Sequence, residues 1–137
     1  MNNELVIFNK ENTEKQMFTT MDLNKKENKA KLFNASENAD VLANDCVGTK
    51  FVLSDLYIER IPRINEETGE QEIKYRTILF DEEGKTYVTT AYGVYNTIVK
   101  IISIYGIDYI HTDGLEVEIA KGTTKDKKTR LYLKVIG

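Results

Sequence analysis

Residues 85–121 read KTYVTTAYGVYNTIVKIISIYGIDYIHTDGLEVEIAK. The hydrophobic period changes twice in this stretch, and those two changes decide the fold. Lys85 to Ala91 is β-branched and aromatic, which is strand chemistry. From Tyr92 to Tyr105 the apolar residues Val94, Ile98, Ile101, Ile102 and Tyr105 recur every three or four positions, one stripe of a helix. Gly106 stands where such a helix stops. A loop through His111 and Asp113-Gly114 is expected next. Leu115 to Lys121 then alternates, with Leu115, Val117 and Ile119 against Glu116, Glu118 and Ala120.

Upstream, Asp81-Glu82-Glu83-Gly84 is a tight hairpin loop, preceded by a strand from Glu72 to Phe80. Before it, Asn65 to Glu70 is turn chemistry, with Gly69 able to take positive φ. Thr49 to Ile61 alternates as a long first strand, with Val52, Leu56 and Ile58 on one face and Phe51, Leu53, Asp55, Tyr57 and Glu59 on the other. Pro62 ends this strand or marks an edge. Downstream, Gly122 to Lys128 is a polar, basic hairpin, and Thr129 to Ile136 is a last alternating strand.

The order is three strands, a helix, then two strands. That is the order of an OB-fold, so a mainly β chain is expected: a five-stranded OB-fold barrel with a helix between strands 3 and 4. An SH3-like barrel has no long helix there, and a ferredoxin-like fold needs its first helix after the first strand. The long first strand suits a barrel in which that strand bends and pairs on both sides. The front of the chain is less regular. Residues 1–30 are read as a flexible or edge-strand N-terminal extension and 31–137 as the OB-fold domain. Gln16 to Leu23 suits an added edge strand, Leu32, Phe33 and Ala35 a short helix, and Asp40 to Asp45 a further turn.

Composition excludes much. The 137 residues are 41% hydrophobic and 30% charged, which is ordinary globular chemistry. No apolar run approaches the roughly 18 residues of a membrane span, and the start lacks a secretory signal, so a cytoplasmic location is expected. A single cysteine allows no intramolecular disulfide, and one cysteine with one histidine offers no zinc-ligand spacing. Cys46 is read as a small buried hydrophobe and His111 as structural or solvent-facing. No nucleophile elbow, P-loop, dinucleotide fingerprint or metalloprotease motif occurs. Neither an enzyme nor a cofactor is therefore expected.

The net charge of -3 gives no general affinity for nucleic acid, so placement of charge must decide. Residues 121–130 hold five basic side chains and one acid, whereas Glu66, Glu67, Glu70 and Glu72 cluster at one tip and Asp81, Glu82 and Glu83 at another. Single-strand binding needs cations along a groove for phosphates and flat rings for bases. In an OB-fold these come from strands two and three and from the loops between strands one and two and strands four and five. The candidates are Tyr57, Tyr75 and Tyr87 for stacking, and Arg60, Lys74, Arg76, Lys125, Lys127, Lys128 and Arg130 for phosphates. Neighbours on a strand face opposite ways. Lys74 and Arg76 are therefore expected on the open face with Tyr75 turned inward or towards the barrel rim, which leaves Tyr87 the stronger platform. A rival reading is an OB-fold interaction module or helicase accessory factor that touches DNA little.

Several segments carry a resemblance: Lys31-Leu32-Phe33-Asn34-Ala35, Asp55-Leu56-Tyr57-Ile58-Glu59, the turn Asn65 to Glu70, Arg76 through Tyr87, and Gly93-Val94-Tyr95. In order and spacing the chain resembles, from about Ala30 onward, the small single-stranded DNA-binding proteins of Gram-positive phages and mobile elements. The resemblance implies an OB-fold that coats single-stranded DNA during phage or element replication. Single-stranded DNA is the expected partner, with replication proteins such as a helicase or polymerase as further candidates. The sequence ends at Lys134-Val135-Ile136-Gly137, without the acidic tail of the cellular proteins of this kind, so recruitment through such a tail is not expected.

Overall fold

The computed structural model describes residues 16–123 and 125–137. In chain order it forms β1 (Gln16–Thr19), α1 (Lys26–Glu37), β2 (Val41–Leu42), a 3-10 turn at Ala43–Asp45, β3 (Lys50–Ile64) and β4 (Gln71–Asp81). There follow β5 (Thr86–Thr89), α2 (Tyr92–Tyr105), α3 (Ile107–Asp113), β6 (Leu115–Thr123) and β7 (Thr129–Val135). The strands join one mainly antiparallel, curled sheet in the order β2-β5-β4-β3-β6-β7, with β1 added beside β3.

The five expected strands are β3 to β7, and the expected helix is α2. The path β5-β4-β3-β6-β7 has the expected order, but the sheet is an open half-barrel: among the described residues no ladder joins β5 to β7. The reason lies at β5. Its outer edge is taken by β2, through the parallel pairs Val41↔Tyr87 and Leu42↔Val88. Asp40 fixes this junction by accepting the Thr86 N–H at 2.9 Å. α2 lies across the opening, packed on both β4 and β7. Its own tie to β7 is the Leu133 N–H donating to Thr97 Oγ1 at 3.2 Å.

β3 explains the curl. One edge pairs with β4 along Leu53–Ile64, while the other takes β6 at Lys50–Leu53 and β1 at Tyr57–Arg60. The register shifts between Leu53 and Asp55. A one-residue slip exchanges the two faces of a strand. Phe51 and Leu53 therefore point into the same core as Leu56 and Ile58, and Val52 does not share their face as the alternation suggested. The bulge is held by Asp55, whose Oδ1 accepts from Thr20 Oγ1 at 2.9 Å and lies 2.8 Å from His111 Nδ1. His111 thus has a structural partner.

Two cores result. The inner one joins Leu53, Leu56, Ile58, Leu79 and Val117 to the α2 stripe Val94, Ile98, Ile101 and Ile102. Cys46 packs against it, partly buried. On the opposite face of β3 and β4, Tyr57, Ile78 and Phe80 lie with Met21 beneath α1, which contributes Ala35. That helix is longer than the short helix expected and starts inside the charged stretch from Asn24 to Lys29. The position between residues 30 and 31 lies within it. The reading of residues 1–15 as part of an extension falls outside the described residues. The expected edge strand is β1. The segment through His111 is helical, not a loop, because Ile107 and Ile110 give it one apolar turn between two glycines. Gly106, at φ 94, lets the chain pass directly from α2 into α3. Among the described residues no helix is long and apolar enough to cross a membrane.

Candidate nucleic-acid interface

Tyr75 comes from the middle of β4, where alternation turns it toward α2. It stacks on Tyr95 with ring centroids 3.8 Å apart and planes 14° from parallel. Tyr92, in the first turn of α2, closes the group, 6.0 Å from Tyr75 and 5.8 Å from Tyr95. The three rings rise from the half-buried Tyr95 to Tyr92, which is 64% exposed. Burial, then the hydroxyl of Tyr75, pushes the Tyr95 pKa well above the usual tyrosine range, and the charge of Arg60 opposes this. Lys74 and Ile73 flank the rings across a shallow concavity that also reaches Glu72. The Asn65 amide donates to Glu72 at 2.7 Å and, with Arg63, holds that carboxyl below its ordinary value. Anionic charge thus bounds this end of the face.

The other end is reached through Gly93. A Cβ on Gly93 would collide with the Leu131 carbonyl and lie 3.0 Å from the Cγ of Arg130. Only glycine lets α2 approach β7 this closely. The approach lays Arg130 along the first turn of α2, with its guanidinium 5.4 Å above the Tyr132 ring. Tyr132, Arg130, Gly122 and Thr123 line a second shallow concavity. Beyond it Lys125, Lys127 and Lys128 stand exposed on the β6–β7 hairpin. A band of rings and cations therefore runs from Lys74 and Tyr75 across Tyr92 and Gly93 to Arg130, Tyr132 and the hairpin.

Of the ten candidates, the structure brings Lys74, Tyr75 and Arg130 onto this band and the three hairpin lysines onto its extension. The other four lie elsewhere. Tyr57 is buried under α1, where burial and then the Glu59 carboxylate push its pKa well up. Tyr87, expected to be the stronger platform, is 2% exposed and stacks on Phe51 at 4.5 Å. Burial again raises its pKa. Arg60, also 2% exposed, lies inside, as the cross-strand partner of Tyr75. Arg76 does leave the inner core, as alternation required, but α1 covers that face. Its guanidinium meets Glu59 at 3.2 Å and donates to the Ser36 carbonyl at 2.8 Å. It fastens the end of α1 to the sheet.

Three residues of the band escaped the sequence reading: Tyr92, Tyr95 and Tyr132. The signal was present. Tyr92 and Tyr95 lie one helical turn apart at the start of α2, off its buried stripe, and Tyr132 alternates against Leu131 and Leu133.

Fold and face together define an open, curled β-sheet protein with an aromatic and cationic surface band. Among the described residues no cluster of histidine, cysteine or carboxylate side chains suits a metal ion. The family model of the phage single-stranded DNA-binding proteins, typified by phage phi29, matches residues 11–136, and the chain belongs to that family. No curated protein and no solved structure matches it.

Proposed function

We propose that this chain coats single-stranded DNA without sequence preference and without catalysis, during replication of phage or mobile-element DNA in the host cytoplasm. The observation that carries this reading is the ring cluster Tyr75–Tyr92–Tyr95, contiguous through Gly93 with Arg130 and Tyr132. Bases would stack on Tyr92 and Tyr132, the outer rings, and phosphates would pass Lys74, Arg130 and the hairpin lysines. Stacking is tolerant of sequence because every base has a flat face. The fold is read as an OB barrel held open by β2, with the band lying across the opening. A module that only docks a helicase or polymerase would have no use for such a band.

A mobility-shift series tests the reading. Single strands of any sequence should be retained and duplex of the same length should not, and Tyr92→Ala should weaken retention. Equal retention of duplex, or an unchanged Tyr92→Ala variant, would contradict it.

A further inference from the structure

We propose that the groove between β1 and α1 is a docking site for a short acidic peptide carrying bulky apolar side chains, displayed by a partner protein. The groove holds about 370 Å³ and is lined by Met17, Phe18, Leu23, Leu32 and Phe33, with Lys29 at its rim. Met17 and Phe33 are 67% and 63% exposed. The packing of α1 does not need Phe33, because Leu32 and Ala35 already meet the sheet. An apolar patch with a polar rim marks an interaction site.

The rim decides the chemistry of the occupant. Lys29 lines the groove, and residues 25–29, at the start of the helix that forms one of its walls, hold three lysines against one acid. Lys25, Lys26 and Lys29 are exposed, and among the described residues none of them forms an ion pair. They crowd the start of α1, where the positive end of the helix dipole disfavours cations. Helix stability therefore does not explain them, whereas a carboxylate placed there would be drawn by lysines and dipole together. Bulky aliphatic groups can fill a floor of Met17, Leu23 and Leu32, and a DNA strand has none to offer. The groove also lies on the α1 side of β3 and β4, opposite the face on which α2 packs. Both surfaces can be occupied at once, so a DNA-bound molecule keeps its groove open to a partner.

The test uses the full chain and a fluorescein-labelled hexapeptide alternating glutamate with leucine or phenylalanine. Its controls carry lysine for glutamate, or serine for the apolar residues. The acidic apolar peptide should bind and the controls should not, with equal affinity in the presence of saturating oligo-dT. Phe33→Ser, and separately Lys26→Glu with Lys29→Glu, should weaken it at least about tenfold, as loss of an anchor does, with oligo-dT affinity unchanged. No preference over the controls, or full binding by Phe33→Ser, would overturn the proposal. Displacement by oligo-dT would assign the groove to DNA and overturn it too. A dimer dissolved by Phe33→Ser would assign it to a second copy. Binding that emerges only after Leu5 and Phe8 are changed to aspartate would assign it to the chain's own residues 5–8. Either result would overturn it.

Discussion

At the scale of single residues, exposure separates tyrosines available for stacking on a ligand from tyrosines that hold the fold. Tyr92 has its ring in solvent, whereas Tyr87 is sealed against Phe51. Tyr92→Ala should therefore cost about 1–3 kcal/mol of affinity for single strands and leave the melting temperature nearly unchanged. Tyr87→Ala should cost about 3–5 kcal/mol of stability, as other large-to-small core changes do. Melting curves and oligonucleotide titrations on the two variants check both. The buried hydroxyls add a pH dependence. Tyr57 and Tyr95 have pKa values raised chiefly by burial, so the unfolded chain releases these protons first. Their contribution to stability is complete below about pH 10, the pKa of an unfolded tyrosine. It is lost progressively as pH rises above that, because the unfolded state then binds fewer protons than the native one. Spectrophotometric titration should show these two rings ionising only as the protein unfolds, and early, reversible ionisation of all the tyrosines would contradict their burial.

At the scale of elements, α1 decides which side chains remain available to a ligand. Its sequence KENKAKLFNASE has little apolar stripe, and only Ala35 is fully buried. It reads as a solvated segment, so the cover over β4 and the fate of Tyr57 and Arg76 were not legible. The five main strands and α2 were legible because their periodicities are long and clean. The inward turn of Tyr75 followed from strict alternation along β4. Alternation failed only at the bulge near Ser54, where a register shift moves Phe51 and Leu53 to the core side. Arg76→Ala should release α1 and leave Glu59 buried beside Tyr57. The expected loss is about 2–3 kcal/mol of stability, below that of a fully buried pair because Arg76 keeps contact with water. Affinity of the folded protein for DNA should not change. Urea denaturation with a parallel DNA titration checks this, and reduced affinity at full stability would return Arg76 to the interface. Gly93→Ala pushes α2 away from the Leu131 carbonyl. It should cost about 1–3 kcal/mol, as overpacking does, and lower affinity by displacing Arg130.

At the scale of the molecule, charge placement matters more than the net charge of -3. The open half-barrel keeps Glu66, Glu67 and Glu70 on the β3–β4 turn, away from the lysines of the β6–β7 hairpin. The opening was not legible, since it depends on β2, a two-residue strand with no periodicity to read. The band across the opening should bind phosphates, and Lys125→Ala with Lys127→Ala should flatten the salt dependence by about 1.4 log units per log unit if both touch phosphates. The most direct measurement is a titration of the unmodified protein with oligo-dT at several salt concentrations, followed by tyrosine emission. The expected result is saturable quenching, with affinity falling at a log–log slope of about -3 for four or five engaged cations. Emission unchanged by saturating oligonucleotide, or affinity indifferent to salt, would contradict the account.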